Sequence, residues 1–94
     1  MPAHALDRIG TYQLTVTTTA TRLAPSRRER ITLTVVKHGT ADLFYGCDTT
    51  TTTTSGALLA GTCGSYISLP TTDALYGIVA AGSLTVSVTE TYDA

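Results

Sequence analysis

The 94-residue chain balances 6 Lys and Arg against 7 Asp and Glu, for a net charge of −1, and charged side chains make up 14% of it. That length holds one domain and one core, and the missing basic excess argues against strong nucleic-acid binding. The longest apolar run, ALYGIVAAG at residues 74–82, is too short to cross a bilayer, so neither nucleic acid nor membrane is expected as a partner.

Ordinary soluble domains carry about 25% charged residues; here threonine, with serine and alanine, takes their place. A surface of short neutral side chains gives up little hydration on association. The composition therefore predicts a protein partly buried against copies of itself or a larger assembly. No asparagine is present, which excludes N-linked glycosylation. The opening MPAHALDRIG lacks a cationic start followed by an apolar block, so synthesis and folding in a cytoplasm are expected.

Taken in chain order, residues 1–10 read as an extended N-terminal arm and 11–94 as the folded domain. In TYQLTVT, Tyr12, Leu14 and Val16 alternate with Gln13, Thr15 and Thr17, the pattern of a half-buried strand. APSRRER brings Pro25 and Ser26, which cannot continue a central strand. RITLTVVK resumes the alternation, with Ile31, Leu33 and Val35 opposite Thr32 and Thr34. KHGTAD sets Gly39 where a tight hairpin calls for positive φ. ALYGIVA is apolar at nearly every position and predicts a central strand covered on both faces. After a turn at Gly82, SLTVSVTE places Leu84, Val86 and Val88 against Thr85, Ser87 and Thr89. β-Branched threonine suits the solvent face of such strands because its χ1 is already restricted. No window carries a helical repeat. The fold class is all-β: a single small antiparallel β-sandwich, jelly-roll-like, of about seven short strands.

Between KHGTAD and ALYGIVA lies CDTTTTTTSG, with six consecutive threonines at residues 49–54. The tract has strand propensity but no apolar face, and a slip of one residue changes nothing, so it cannot fix a register. It reads either as a mobile surface loop or as an extended segment ordered by a neighbouring subunit. Cys47 and Cys63 bracket it. With no secretion signal they read as free, buried thiols; a disulfide closing the loop is the alternative.

The chemistry-bearing residues do not converge. His38 and Cys47 could suggest a thiol nucleophile with its base, but the histidine sits in a predicted turn and no nucleophile motif surrounds the cysteine. Cys47, Cys63, His38 and Asp48 lack the paired spacing of a zinc site. Asp42, Asp48, Asp73 and Glu90 fall at strand ends, as solvated or capping carboxylates do. Tyr45, Tyr66, Tyr76 and Tyr92 read as core-completing tyrosines with wet hydroxyls rather than a sugar platform. The one charge concentration is RRER, with Arg27, Arg28, Glu29 and Arg30. It is either a solvated loop or an arginine patch that docks on a protein surface. No catalytic, metal-binding or cofactor-binding residue is assigned, and no enzyme activity is expected.

Four segments in order, LTVTTTATRLAPSRRERITLTV, GTADLFYG, GALLAGTCGSYISL and DALYGIVAAGSLTVSVTE, resemble the small β-sandwich virion proteins of tailed bacteriophages, often head-decoration or cement subunits. The resemblance covers residues 14–90; the long threonine tract and its flanking cysteines depart from it. It implies a structural virion protein, made in the host cytoplasm, that binds the major capsid protein or another virion protein as a symmetric oligomer, a trimer being favoured. A tail or head-fibre component with a receptor- or glycan-binding role is the alternative. In this picture the arm with Ile9, the arginines Arg27, Arg28 and Arg30, and the tract residues Thr50, Thr51, Thr52 and Thr53 are the expected protein interface.

Overall fold

The computed structural model describes residues 9–92, which form eight strands and no helix. They are β1 (Ile9–Val16), β2 (Thr21–Ala24), β3 (Arg30–Lys37), β4 (Leu43–Gly46), β5 (Ala57–Leu59), β6 (Tyr66–Leu69), β7 (Leu75–Ile78) and β8 (Leu84–Tyr92). One sheet runs β1-β8-β3-β6 and the other β2-β7-β4-β5, with antiparallel pairing throughout. Two four-stranded sheets in that order are the double Greek key of a jelly roll. The count is eight rather than about seven. The boundary of the expected arm also moves: Ile9 and Gly10 already belong to β1, paired with Thr91 and Glu90, while residues 1–8 lie outside the described residues.

Alternation builds the core. The inward rows of the first sheet are Tyr12, Leu14 and Val16 on β1, Leu33 and Val35 on β3, and Leu84, Val86 and Val88 on β8. They meet Leu23, Leu43, Leu59, Leu75 and Val79 from the second sheet. Full burial of one such Val or Leu is worth about 1.5–3 kcal/mol. β7 is a central strand as expected, with Leu75, Gly77, Ile78 and the following Val79 all buried.

Gly77 leaves no room for a side chain between the two sheets. A Cβ there would lie 3.0 Å from Leu43 Cδ1 and 3.1 Å from Leu23 Cδ1. Both neighbours are nearly unexposed and have nowhere to retreat. Gly77→Ala is therefore expected to destabilise the domain by about 1–3 kcal/mol through overpacking, measured as a lower urea midpoint at unchanged slope.

The expected hairpin at Gly39 is corrected. β3 and β4 lie in different sheets, so residues 38–42 cross between layers instead of joining paired strands. Gly39 does not adopt positive φ; Gly61, Gly64 and Gly82 do.

Candidate interaction surfaces

At one end of the sandwich β8 continues its inward row past Val88 to Glu90, which is 1% exposed. Arg30 enters from the start of β3 to meet it: Nη1 donates to Glu90 Oε1 at 2.7 Å and to Pro25 O at 2.8 Å, and Nε donates to Thr71 O at 2.9 Å. Nη2 donates to Asp73 O. One guanidinium thus ties residues 25–29 and 70–74 to β8. Arg27 Nε donates to the same Glu90 oxygen at 3.1 Å, and its guanidinium lies 5.9 Å from the Tyr92 ring centroid, a cation–π distance.

This network corrects two expectations. Arg30 is not an exposed docking residue, because its side chain is buried inside its own domain. Glu90 is not a solvated strand-end carboxylate. Of the three arginines, Arg27 is half-buried on Glu90 and Arg28 alone is freely exposed.

Burial pushes the Glu90 carboxyl up, but the hydrogen bond from Arg30 and the charges of Arg27 and Arg30 outweigh it and hold it below its ordinary value. Burial and the Glu90 charge push the Tyr12 hydroxyl, which donates to Leu23 O at 2.7 Å, up to about 12. The signs follow by linkage. A lowered carboxyl contributes stability that is present above its ordinary value of 4.5 and is lost as pH falls through the folded value. A raised tyrosine contributes stability that is present below 10.0 and is lost as pH rises toward 12. Urea midpoints against pH should therefore form a plateau from mild acid to pH 10 and fall on both sides. Tyr12→Phe should reduce the alkaline fall, to which Tyr92, raised by burial and the Glu90 charge, also contributes, and leave the acid fall in place.

The threonine tract is neither extended nor a strand. Asp48 Oδ1 accepts from Thr50 N at 2.9 Å and Thr50 Oγ1 at 2.5 Å, while Asp48 O accepts from Thr51 Oγ1 at 2.8 Å. Thr52 Oγ1 then accepts from Ser55 N at 3.1 Å, and Thr52 O from Gly56 N at 2.8 Å. These are side-chain-closed turns, the bonding that short hydroxyl and Asx residues prefer outside ladders. Thr51 is buried against Gly46, Thr50 and Thr52 are exposed, and Thr53 is half-buried. Cys47 and Cys63 are not joined; both are free and exposed, which corrects the disulfide and the buried-thiol readings alike. Ile9 is 67% exposed at the start of β1.

The outer face of the β1-β8-β3-β6 sheet is one coherent surface. Its registers align Thr11, Thr89, Thr34 and Ser68 in one row across all four strands. Gln13, Ser87, Val36 and Tyr66 form the next row, with Ile9, Thr91 and Thr32 on one side and Thr15 and Thr85 on the other. Neighbouring hydroxyls bond to each other: Thr11 to Thr89 at 3.3 Å, Thr34 to Ser68 at 3.1 Å and Thr32 to Thr91 at 2.6 Å. His38 Nε2 reaches Ser87 Oγ at 2.5 Å. None of these outward strand positions carries Asp, Glu, Lys or Arg. The opposite face differs, with Leu58, Phe44 and Ile78 forming a short apolar row.

No family model matches the sequence, and neither does any curated protein. Solved structures match in shape. An HTH_3 family transcriptional regulator from Vibrio cholerae is similar over 100% of this chain and 48% of its own, with TM-score 0.67 and 8% identity. A cupin domain from Bordetella pertussis is similar over 94% of this chain and 84% of its own, with TM-score 0.59 and 17% identity. The stem and receptor-binding domain of spike protein P1 from bacteriophage PM2 is similar over 79% of this chain and 29% of its own, with TM-score 0.58 and 14% identity. The match thus spans about half the length of the regulator and less than a third of the spike protein's chain. At these identities the likeness establishes the jelly-roll fold, a fold that hosts many roles.

Proposed function

We propose that the chain is a non-enzymatic structural virion protein, a decoration or cement subunit that binds the head shell of a phage as a symmetric oligomer. The observation that carries this reading is the uncharged hydroxyl face of the β1-β8-β3-β6 sheet. A face four strands wide with no ionic group loses little hydration when covered, and its side chains are already stiff, so little rotamer freedom is lost. Many weak contacts of that kind, repeated over equivalent lattice positions, combine through multivalency. The core is built mainly of Leu and Val side chains from both sheets.

Quantitative peptide mass spectrometry of purified particles tests the reading. A copy number equal to the shell protein's, or a simple fraction of it, supports a lattice subunit; absence from the particle sinks it. The face itself is tested by Ser68→Lys with Thr85→Lys, both exposed and on different strands. The expected result is at least about a tenfold loss of particle binding, since unpaired charges buried in a contact are costly, with the melting temperature unchanged.

A second reading, a tail or head-fibre component that binds a receptor or glycan, is favoured by Tyr66. That ring is 65% exposed and stands on the hydroxyl face beside Val36, an arrangement suited to stacking against a sugar. A handful of copies per particle, with glycan binding abolished by Tyr66→Ala, would select it.

A further inference from the structure

The sandwich has four edge strands, and three of them are blunted. β5 has three residues; β6 has four and is followed by Pro70; β2 has four, carries Arg22, breaks register against β7 and is followed by Pro25. Short strands, proline, charge and bulges are the usual devices against unwanted pairing. β1 has none of them. It runs eight residues in unbroken register with β8 and is uncharged from Ile9 to Val16.

The direction of its free hydrogen-bonding groups can be read from the ladder. His38 N donates to Thr85 O, so the odd-numbered residues of β8 turn their backbone groups toward β3 and the even-numbered ones toward β1. Through the β1–β8 register, Gly10, Tyr12, Leu14 and Val16 are bonded to β8, and the backbone groups of Ile9, Thr11, Gln13 and Thr15 point off the edge. Thr17 fits the same parity: its carbonyl points away from β8 and accepts from Val79 N.

We infer that β1 is the docking edge for the β1 strand of a second copy of this chain, paired antiparallel about a twofold axis at Tyr12. That register sets Ile9 opposite Thr15 of the other copy and Thr11 opposite Gln13, so all four outward residues are used, with about eight main-chain hydrogen bonds. An axis at Gln13 instead sets Ile9 opposite Thr17, whose carbonyl is already taken. Same-parity pairing keeps inward residues inward. It extends cover over Tyr12 and Leu14, which the single domain leaves half-buried, and it joins two hydroxyl faces into one uncharged eight-stranded surface. A strand without charge opposes no like charges when it meets its own copy, and it offers nothing to steer a charged partner. The inference stands on strand geometry and does not depend on the virion reading.

Sedimentation equilibrium of the purified full chain, with amide hydrogen exchange, tests it. The expected result is a dimer, with Thr11, Gln13 and Thr15 amides protected more strongly as concentration rises. Thr11→Lys, Gln13→Lys and Thr15→Lys together change only exposed outward side chains and should weaken the dimer at least tenfold, as should the same three positions changed to Glu. Mixing the two variants should restore a paired species. A wild-type monomer up to its solubility limit overturns the inference; protection of the three amides only when shell protein is added would then assign the edge to a foreign strand. A dimer or trimer indifferent to both variants overturns it as well.

Discussion

Arg30→Ala is expected to destabilise the domain by about 3–5 kcal/mol, the range for removing one partner of a buried ion pair. The side chain is unexposed and supplies donors to four acceptors on three separate segments: Pro25 O, Thr71 O, Asp73 O and Glu90 Oε1. Without it Glu90 keeps, among the described residues, one half-exposed ion-pair partner, Arg27, and its second oxygen, Oε2, has no hydrogen bond to any of them. Urea denaturation should show the loss directly. Removing the carboxylate as well, in Arg30→Met with Glu90→Leu, should recover part of it, because the uncompensated charge goes. A double variant no better than Arg30→Ala would place the effect in the three carbonyls instead. Arg30→Lys should fall between wild type and alanine, since a point charge cannot hold the fork of contacts a guanidinium makes.

The second large effect belongs to Lys37, whose side chain is wholly buried on β3 with its Nζ donating to Gly61 O at 2.8 Å and more distantly to Leu59 O at 3.4 Å. The backbone of the same residue bonds Ser65 O and Gly64 N, so Lys37 holds residues 59–65 at both ends. Lys37→Ala should lose about 2–5 kcal/mol, as other truncations of long buried side chains do. Lys37→Met should stay within about 1.5 kcal/mol of wild type, because it keeps the volume of the stem. Equal losses in the two variants would show that the amine, not the packing of its methylenes, carries the contribution.

Both residues bear on how much of this molecule can be read from its residues. β1, β3 and β8 declare themselves by alternation over eight or nine positions, and the jelly-roll class follows from them. β2, β5 and β6 run three or four residues, no more than two periods, and alternation cannot mark them. Glu90 and Lys37 were legible by parity, since each continues an inward apolar row, Leu84-Val86-Val88 in one case and Leu33-Val35 in the other. The habit of assigning charge to solvent hides them. Arg30 was not legible: counting back from Leu33 by twos puts Ile31 inside, and a bulge between Arg30 and Thr32 reverses this, leaving Ile31 52% exposed and Arg30 buried. The threonine tract fixes no register by itself; Asp48, Ser55 and Gly56 fold it through local hydrogen bonds. The hydroxyl face is written in the outward positions of each strand, but strand order, which merges them into one plane, is a tertiary fact.

The position of β8 has a consequence for synthesis. β8 comes last of the eight strands along the chain and stands between the first and the third, so neither of its neighbours can complete its ladder until Leu84–Tyr92 has been made. Contacts so distant along the chain make folding slow, on the order of the millisecond-to-second scale of β-sandwiches. A chain arrested before Leu84 would present β1 as a lone strand with both margins bare, open to pairing with strands of other chains.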